Sequence, residues 1–173
     1  MLAYVFWHRP APGTDAALYE RALAEFHEAL AAAPPSGFHR SWAFRLASIP
    51  WLGDATGYED WYLVDDFAAL GALNEAAVSA SRKAPHDVVA RLAAEGTGGV
   101  YRLVAGAPRP ETVATAAWLA KPAGKPDAEF LAELGGTVWQ RQMTLGPTPE
   151  FCLHLPAAAQ APAEAVKLEV TRL

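Results

Sequence analysis

Cysteine is almost absent from this chain, and clusters of basic residues are absent altogether. The single Cys152 excludes an intrachain disulfide and any metal motif built from paired cysteines. Because Cys152 lies in an apolar, strand-like run, we expect a buried and unreactive thiol. The net charge of −5 and the lack of a Lys/Arg cluster argue against a nucleic-acid partner.

Signals for export and for membrane insertion are also missing. The first residues show no basic segment followed by an apolar one. No apolar run approaches the roughly 18 residues that cross a bilayer. We therefore expect a cytoplasmic protein without a membrane partner. The abundance of Ala, Gly, Pro and Arg is typical of bacteria with GC-rich genomes, so we also expect a bacterial source.

Motifs for metal binding, nucleophilic hydrolysis and phosphate binding are not found. The five histidines show no His-x-His, His-x-x-x-His or His-Glu-x-x-His spacing, so we expect no metal and no cofactor. No serine lies in a Gly-x-Ser-x-Gly context, which disfavours nucleophilic hydrolysis. The Gly-Thr-Gly-Gly run at residues 96–99 precedes a predicted strand and opens no helix, so it is predicted to be a turn.

The second half of the chain is similar to a shortened copy of the first half, with residues 3–19 aligning with residues 114–130. Allowing one residue of slip, the aligned pairs are Trp7 and Trp118, Gly13 and Gly124, Asp15 and Asp127, and Tyr19 and Phe130. Internal repetition of this kind indicates two related α+β units within one chain.

Hydrophobic periodicity predicts the order β-α-β-β-α-β for the first unit, residues 1–107. The predicted strands cover residues 2–8, 38–47, 58–64 and 100–105. The predicted helices cover residues 15–33, 67–79 and 85–94. Thr14 or Asp15 caps the first helix, Asp65 or Asp66 caps the second, and Pro85 opens the third.

The second unit, residues 111–173, follows the linker at residues 108–110 and is shorter. Its predicted strands cover residues 112–120, 137–145, 151–155 and 165–172, with a turn at residues 146–149. One helix is predicted over residues 127–134. Residues 156–163, which contain two prolines and no helical stripe, replace the second helix of the first unit.

A β-α-β-β-α-β unit covers one face of its sheet with helices and leaves the other face to a partner. In this element order the chain resembles the dimeric α/β-barrel superfamily, which includes antibiotic-biosynthesis-type monooxygenases and haem-binding proteins. The Gly-Tyr-Glu-Asp-Trp-Tyr-Leu-Val-Asp-Asp run at residues 57–66 is similar to that of uncharacterised bacterial proteins. The resemblance implies two tandem ferredoxin-like units packed as one body, a barrel-like core with a cavity between the sheets, and a monomer or homodimer.

Strand alternation groups aromatic and polar side chains on shared strand faces, mostly within the first unit. The candidate ligand-binding residues are Tyr4, Phe6, His8, Arg45, Trp51, Tyr58, Asp60 and Tyr62. His8 beside Asp60 is a weak candidate for a catalytic base, and Arg45 for an anion-binding cation. The alternative is a buried ion pair with ordinary tyrosine packing. Trp51 stands in a loop between strands, where it either packs onto the barrel or covers a ligand.

Three functions remain open. The first is binding of a small apolar or aromatic molecule between the sheets. The second is a non-enzymatic structural or interaction protein with a filled core. The third is a cofactor-independent monooxygenase-like or haem-binding barrel. Haem-binding relatives hold iron through a single histidine, for which His154 is the best candidate, although no motif supports it.

Overall fold

Eight antiparallel strands and four α-helices make up the parts of the chain that the computed structural model describes, residues 1–142 and 147–173. The strands are β1 (Leu2–Pro10), β2 (Phe38–Ile49), β3 (Ala55–Val64), β4 (Ala93–Ala105), β5 (Thr115–Leu119), β6 (Thr137–Arg141), β7 (Phe151–Leu155) and β8 (Val166–Arg172). The helices are α1 (Ala16–Ala32), α2 (Phe67–Ala77), α3 (Ala80–Leu92) and α4 (Asp127–Glu133).

The strands form a closed barrel in the order β1-β3-β2-β8-β5-β7-β6-β4, and β4 pairs with β1. The four strands of the first half lie together as β4-β1-β3-β2, and those of the second half as β8-β5-β7-β6. The two halves meet along β2–β8 and along β4–β6. Closure pairs both edges of each strand, so backbone hydrogen bonds join the two halves along two seams.

Two aspartates begin the first two helices, as the sequence predicts. The Asp15 carboxylate accepts a hydrogen bond from the Leu18 amide at 2.8 Å, and Asp66 accepts one from Ala69 at 3.0 Å. Each carboxylate satisfies an amide that the first turn of a helix leaves unpaired.

The boundaries of several other elements differ from the prediction. Helix α3 begins at Ala80, so Pro85 lies inside it and does not open it. The helix continues across the one backbone hydrogen bond that proline cannot donate. Strand β5 begins at Thr115 because residues 110–112 form a short 3₁₀ turn. The predicted strand over residues 137–145 is confirmed as far as Arg141, and its residues 143–145 lie outside the described residues, as does residue 146 of the predicted turn.

The glycine-rich run at residues 96–99 is part of β4, so the prediction of a turn there is wrong. A Cβ atom on Gly96 would lie 2.4 Å from the Phe6 ring, and one on Gly98 would lie 2.9 Å from the Tyr4 hydroxyl. Both positions pair with β1, whose aromatic rings lean over the β4 backbone. Glycine here makes room for the rings and does not bend the chain.

All six tryptophans of the chain pack in one cluster inside the barrel. Trp7 and Trp118, the aligned pair of the internal repeat, lie edge to face with ring centroids 5.3 Å apart. Trp51 packs onto the same two rings at 5.2 and 5.4 Å, so its loop packs onto the barrel. Large rings therefore occupy the space between the two half-barrels, where the resemblance placed a cavity.

Glu59 is the one carboxylate of this interior cluster among the described residues, and two indoles hold it. Its side chain accepts hydrogen bonds from Trp7 Nε1 and Trp61 Nε1, each at 2.6 Å. Burial raises the pKa of Glu59 to about 7, although the two indole N–H groups act in the opposite direction.

His154 and Cys152 from β7 also point into the barrel. The His154 ring packs edge-on against Trp61 at 4.4 Å, and burial lowers the pKa of this imidazole to about 3. His154 is only 3% exposed, and the role of haem ligand suggested for it stays a prediction. Cys152 is buried as expected, and burial raises the pKa of its thiol well above the ordinary value.

The Glu59→Gln variant tests this interior carboxyl group. Because the pKa of Glu59 is raised from 4.5 to about 7 by folding, its stabilising contribution is full below pH 4.5 and is lost as the pH rises to about 7. The unfolding free energy of the wild type relative to the variant should therefore fall by about 3 kcal/mol over that interval. Urea titrations at several pH values measure it.

His154 has the opposite pH dependence, since its lowered pKa stabilises the fold above about pH 6.5 and less below it. That contribution is common to wild type and Glu59→Gln and cancels in their difference. A difference that stays constant from pH 4.5 to 7 would show that Glu59 titrates normally in the folded protein.

Candidate functional site

A cavity of about 900 Å³ lies outside the barrel, between the outer face of its sheet and the helices α1, α2 and α3. Five of the predicted site residues form the sheet side of its wall: Tyr4, Phe6, His8, Asp60 and Tyr62. Tyr19, Leu23 and Phe26 of α1 line it as well, and α2 and α3 complete the wall opposite the sheet. The predicted residues are thus brought together, but on the helix side of the sheet.

The alternation of β1 and β3 explains why these side chains meet. Trp7 and Glu59 point into the barrel and lie opposite each other in the pairing of the two strands. Their neighbours point outward, where Phe6 lies opposite Asp60 and Tyr4 opposite Tyr62. Because β1 and β3 are hydrogen-bonded neighbours, the outward side chains form one continuous surface beneath the helices.

His8 and Asp60 lie in direct contact at the inner end of this surface. His8 Nε2 lies 3.2 Å from Asp60 Oδ2, and both side chains are no more than 3% exposed. The Tyr62 hydroxyl donates to the same carboxylate oxygen at 2.8 Å. On the other side of the imidazole, the Tyr19 hydroxyl lies 2.6 Å from His8 Nδ1. The result is a chain of contacts from Tyr19 through His8 to Asp60.

A second histidine approaches Asp60 from helix α1. His27 Nε2 lies 3.6 Å from Asp60 Oδ1, and His27 Nδ1 lies 2.6 Å from the Ser41 hydroxyl. The His27 ring stacks on Tyr62 with centroids 5.3 Å apart. The sequence interpretation missed His27 because it is a single polar residue beside an apolar stripe. The available signal was its position four residues after Leu23, one helical turn along the buried face.

Electrostatics keep Asp60 ionised and the surrounding tyrosines neutral. Burial alone would raise the pKa of Asp60, but the adjacent His8 and His27 imidazoles outweigh it and lower the pKa below its ordinary value. Burial, reinforced by the Asp60 charge, raises the pKa values of Tyr62 and Tyr19. The inner wall therefore presents one carboxylate, one imidazole and two hydroxyl groups that keep their protons, with the His27 imidazole behind it.

Three predicted site residues lie elsewhere. Arg45 is half-exposed and pairs with Glu20, with 3.3 Å between Nη1 and Oε1. The Tyr58 hydroxyl donates to the same Glu20 oxygen at 3.1 Å, although the Tyr58 ring stacks on His8 at 5.7 Å. Trp51 packs into the barrel interior. None of the three belongs to the wall of the cavity as described.

Residues 1–142 and 147–173 contain no group of three His, Cys, Asp or Glu side chains arranged to hold a metal ion. Over the same residues, no helix combines the length and the apolar character needed to cross a membrane.

Comparison with known proteins shows a likeness of fold. A solved structure, described as a crystal structure study of an anthrone oxidase-like protein, matches with a TM-score of 0.50 and 14% sequence identity. The match covers 87% of this chain and 70% of that one. No protein-family model matches the chain, and no curated protein matches it. At this identity the likeness supports a mixed α+β barrel and leaves function to the site itself.

The Asp60→Asn variant tests the central charge of the cluster. Removing the charge of Asp60 leaves the groups that face it in the buried network without their ionised partner, so we expect the unfolding free energy to fall by about 3 kcal/mol at pH 7. Because folding lowers the pKa of Asp60, the carboxylate stabilises the fold above about pH 4 and loses this effect as the solution is acidified. Denaturant titrations should therefore show the wild type and the variant converging below about pH 4.

Asp65→Asn is the matched control, because Asp65 also pairs with a histidine, His39, at 2.7 Å but lies on the surface. Its effect should stay within about 0.5 kcal/mol. Equal effects of the two substitutions would contradict the central role assigned to Asp60.

Proposed function

We propose that this protein binds a small, mostly apolar molecule carrying a hydroxyl or carbonyl group, in the cavity between the barrel and α1–α3. The observation that carries the proposal is the buried network of Tyr19, His8, Asp60 and Tyr62 in the wall of an aromatic-lined space of about 900 Å³. Small-molecule sites are mostly apolar cavities of this size with a few convergent polar groups.

The lining of the cavity outside the polar network supports an apolar ligand. Tyr4 and Phe6 stack along β1, with ring centroids 6.1 Å apart, and Phe26 faces Tyr62 at 6.4 Å. Phe67 and Val78 of the α2 side line the same space yet are 46% and 50% exposed. Large apolar side chains that are exposed beside an apolar cavity are accounted for when a ligand passes or covers them.

A catalytic role is the second candidate, favoured by the contact between Tyr19 and His8. With the His8 proton on Nε2, Nδ1 can accept the Tyr19 proton while the Tyr19 oxygen takes a proton from the ligand hydroxyl. The ligand O–H bond breaks, Tyr19 stays neutral, and the products are a ligand anion and an imidazolium beside the Asp60 carboxylate. Such a step would suit a cofactor-independent monooxygenase-like protein. An aromatic ligand would also agree with the description of the structural neighbour as anthrone oxidase-like.

The other alternative, a non-enzymatic structural or interaction protein, is favoured by the tryptophan-filled barrel interior. That alternative gives no role to the outer cavity or to the buried polar network in its wall. An ion pair buried for stability alone is expected to be a poor contributor, because the desolvation of two charges offsets much of their attraction.

For the architecture, we propose two tandem ferredoxin-like units, residues 1–107 and 111–173. The equal strand orders β4-β1-β3-β2 and β8-β5-β7-β6 support it, as does the contact of the aligned Trp7 and Trp118. Only the first unit has three helices above its sheet, and the cavity lies on that unit. A barrel closed within one chain supports a monomer.

Binding is tested with 4-nitrophenol and its methyl ether 4-nitroanisole, which differ in one O–H group. Calorimetry should show both probes binding to the wild type, with 4-nitrophenol about tenfold tighter because the buried network engages its hydroxyl. Gly71→Leu should weaken both probes about tenfold, since Gly71 lines the cavity and has open space where a side chain would project.

Ala68→Leu is the control, because Ala68 is an exposed residue of the same helix that does not line the cavity. It should bind both probes as the wild type does. Failure of the wild type to bind either probe, or equal weakening by both leucine substitutions, would remove the cavity as the site.

A further inference from the structure

We infer that His27 is a positioning residue of the cavity site, which acts on His8 through Asp60 and sets how much of a bound hydroxyl ligand is held as its anion. The inference rests on the proposed function and extends it to a residue that does not line the cavity.

The two oxygens of Asp60 face two different imidazoles. Oδ2 lies 3.2 Å from His8 Nε2, and Oδ1 lies 3.6 Å from His27 Nε2. His8 lines the cavity, whereas His27 does not, and the His27 side chain is 11% exposed. Among the contacts of the described residues, Asp60, Tyr62 and Phe26 touch both the cavity wall and His27, and Asp60 is the charged one of the three. Any influence of His27 on a ligand therefore passes mainly through this carboxylate.

The orientation of His27 is held by side chains of two strands. Ser41 of β2 contacts Nδ1 at 2.6 Å, and Tyr62 of β3 stacks on the ring at an interplanar angle of 16°. With Nδ1 held by Ser41, the other ring nitrogen is the one directed at Asp60. A side chain that only filled space would need neither contact. Both contacts orient the His27 ring towards Asp60, the carboxylate that contacts His8 in the cavity wall.

One carboxylate charge is thus shared by two imidazoles. When a ligand gives its proton to His8 by way of Tyr19, the resulting imidazolium depends on Asp60 for stabilisation. An interaction of Asp60 with His27 therefore weakens the stabilisation that Asp60 can give to the His8 imidazolium. The remaining titratable groups near Asp60 are Tyr4, Tyr19 and Tyr62, which burial keeps neutral, and Glu59, which points into the barrel.

The experiment measures the charge state of bound 4-nitrophenol, whose anion is yellow and whose neutral form is colourless. Absorbance spectra at saturating protein give the ratio of anion to neutral probe for the wild type and for His27→Gln. Because glutamine has no imidazole to engage Oδ1 of Asp60, Asp60 acts more fully on His8, and the ratio should rise roughly threefold to tenfold at pH 7. His39→Gln removes a surface histidine that pairs with Asp65 and should leave the ratio unchanged.

Ser41→Ala provides a second variant that keeps the imidazole and removes its Nδ1 partner, so the ratio should rise by a smaller factor. A ratio that stays at the wild-type value in both variants, with 4-nitrophenol and 4-nitroanisole weakened equally, would show that His27 merely packs and would overturn this inference alone. Failure of the wild type to bind either probe would overturn the proposed function and this inference together.

Discussion

The strict alternation of side chains along β1 and β3 is the constraint on which the rest of this structure depends. Within two adjacent strands, one set of side chains fills the barrel and the other faces the helices. Glu59 and Asp60 are neighbours in the chain, yet they belong to two separate environments on opposite sides of the sheet. A shift of either strand by one residue would turn the side chains of that strand to the opposite side of the sheet and would separate His8 from Asp60.

The pKa values of the two buried carboxyl groups, Glu59 and Asp60, are shifted in opposite directions on the two sides of the sheet. Inside the barrel, Glu59 is surrounded by aromatic rings and has only indole donors, so burial dominates and raises its pKa to about 7. Outside the barrel, Asp60 faces two imidazoles and a hydroxyl group, and its pKa falls instead. The barrel interior thus holds a carboxyl group whose pKa is near 7, while the cavity wall holds a carboxylate that stays ionised. A stable anion is what a site needs in order to hold a cation formed during proton transfer.

Local sequence signals predicted most of the elements, because each depends on neighbouring residues. The aspartate caps of α1 and α2 and the strand at Phe151–Leu155 followed from short patterns. The glycine-rich part of β4 was missed because its glycines leave room for the rings of Phe6 and Tyr4, which are about ninety residues away in the chain. The start of α3 was missed because Pro85 is a good first residue of a helix, and nothing local shows that the helix begins five residues earlier.

By itself, the sequence determined the alternation within β1 and within β3, so that Tyr4, Phe6 and His8 share one face and Asp60 and Tyr62 another, since side-chain direction in a strand is a property of the backbone. The pairing of the two strands in the folded protein then brought the two groups together. Only the tertiary structure decided which side of the sheet that face is on. The six tryptophans pack inside the barrel, and the polar face lies under α1–α3. The tertiary structure also brought Tyr19 and His27 of α1 to His8 and Asp60. Local periodicity indicates which residues of a helix face inward, but the strand that they contact depends on packing.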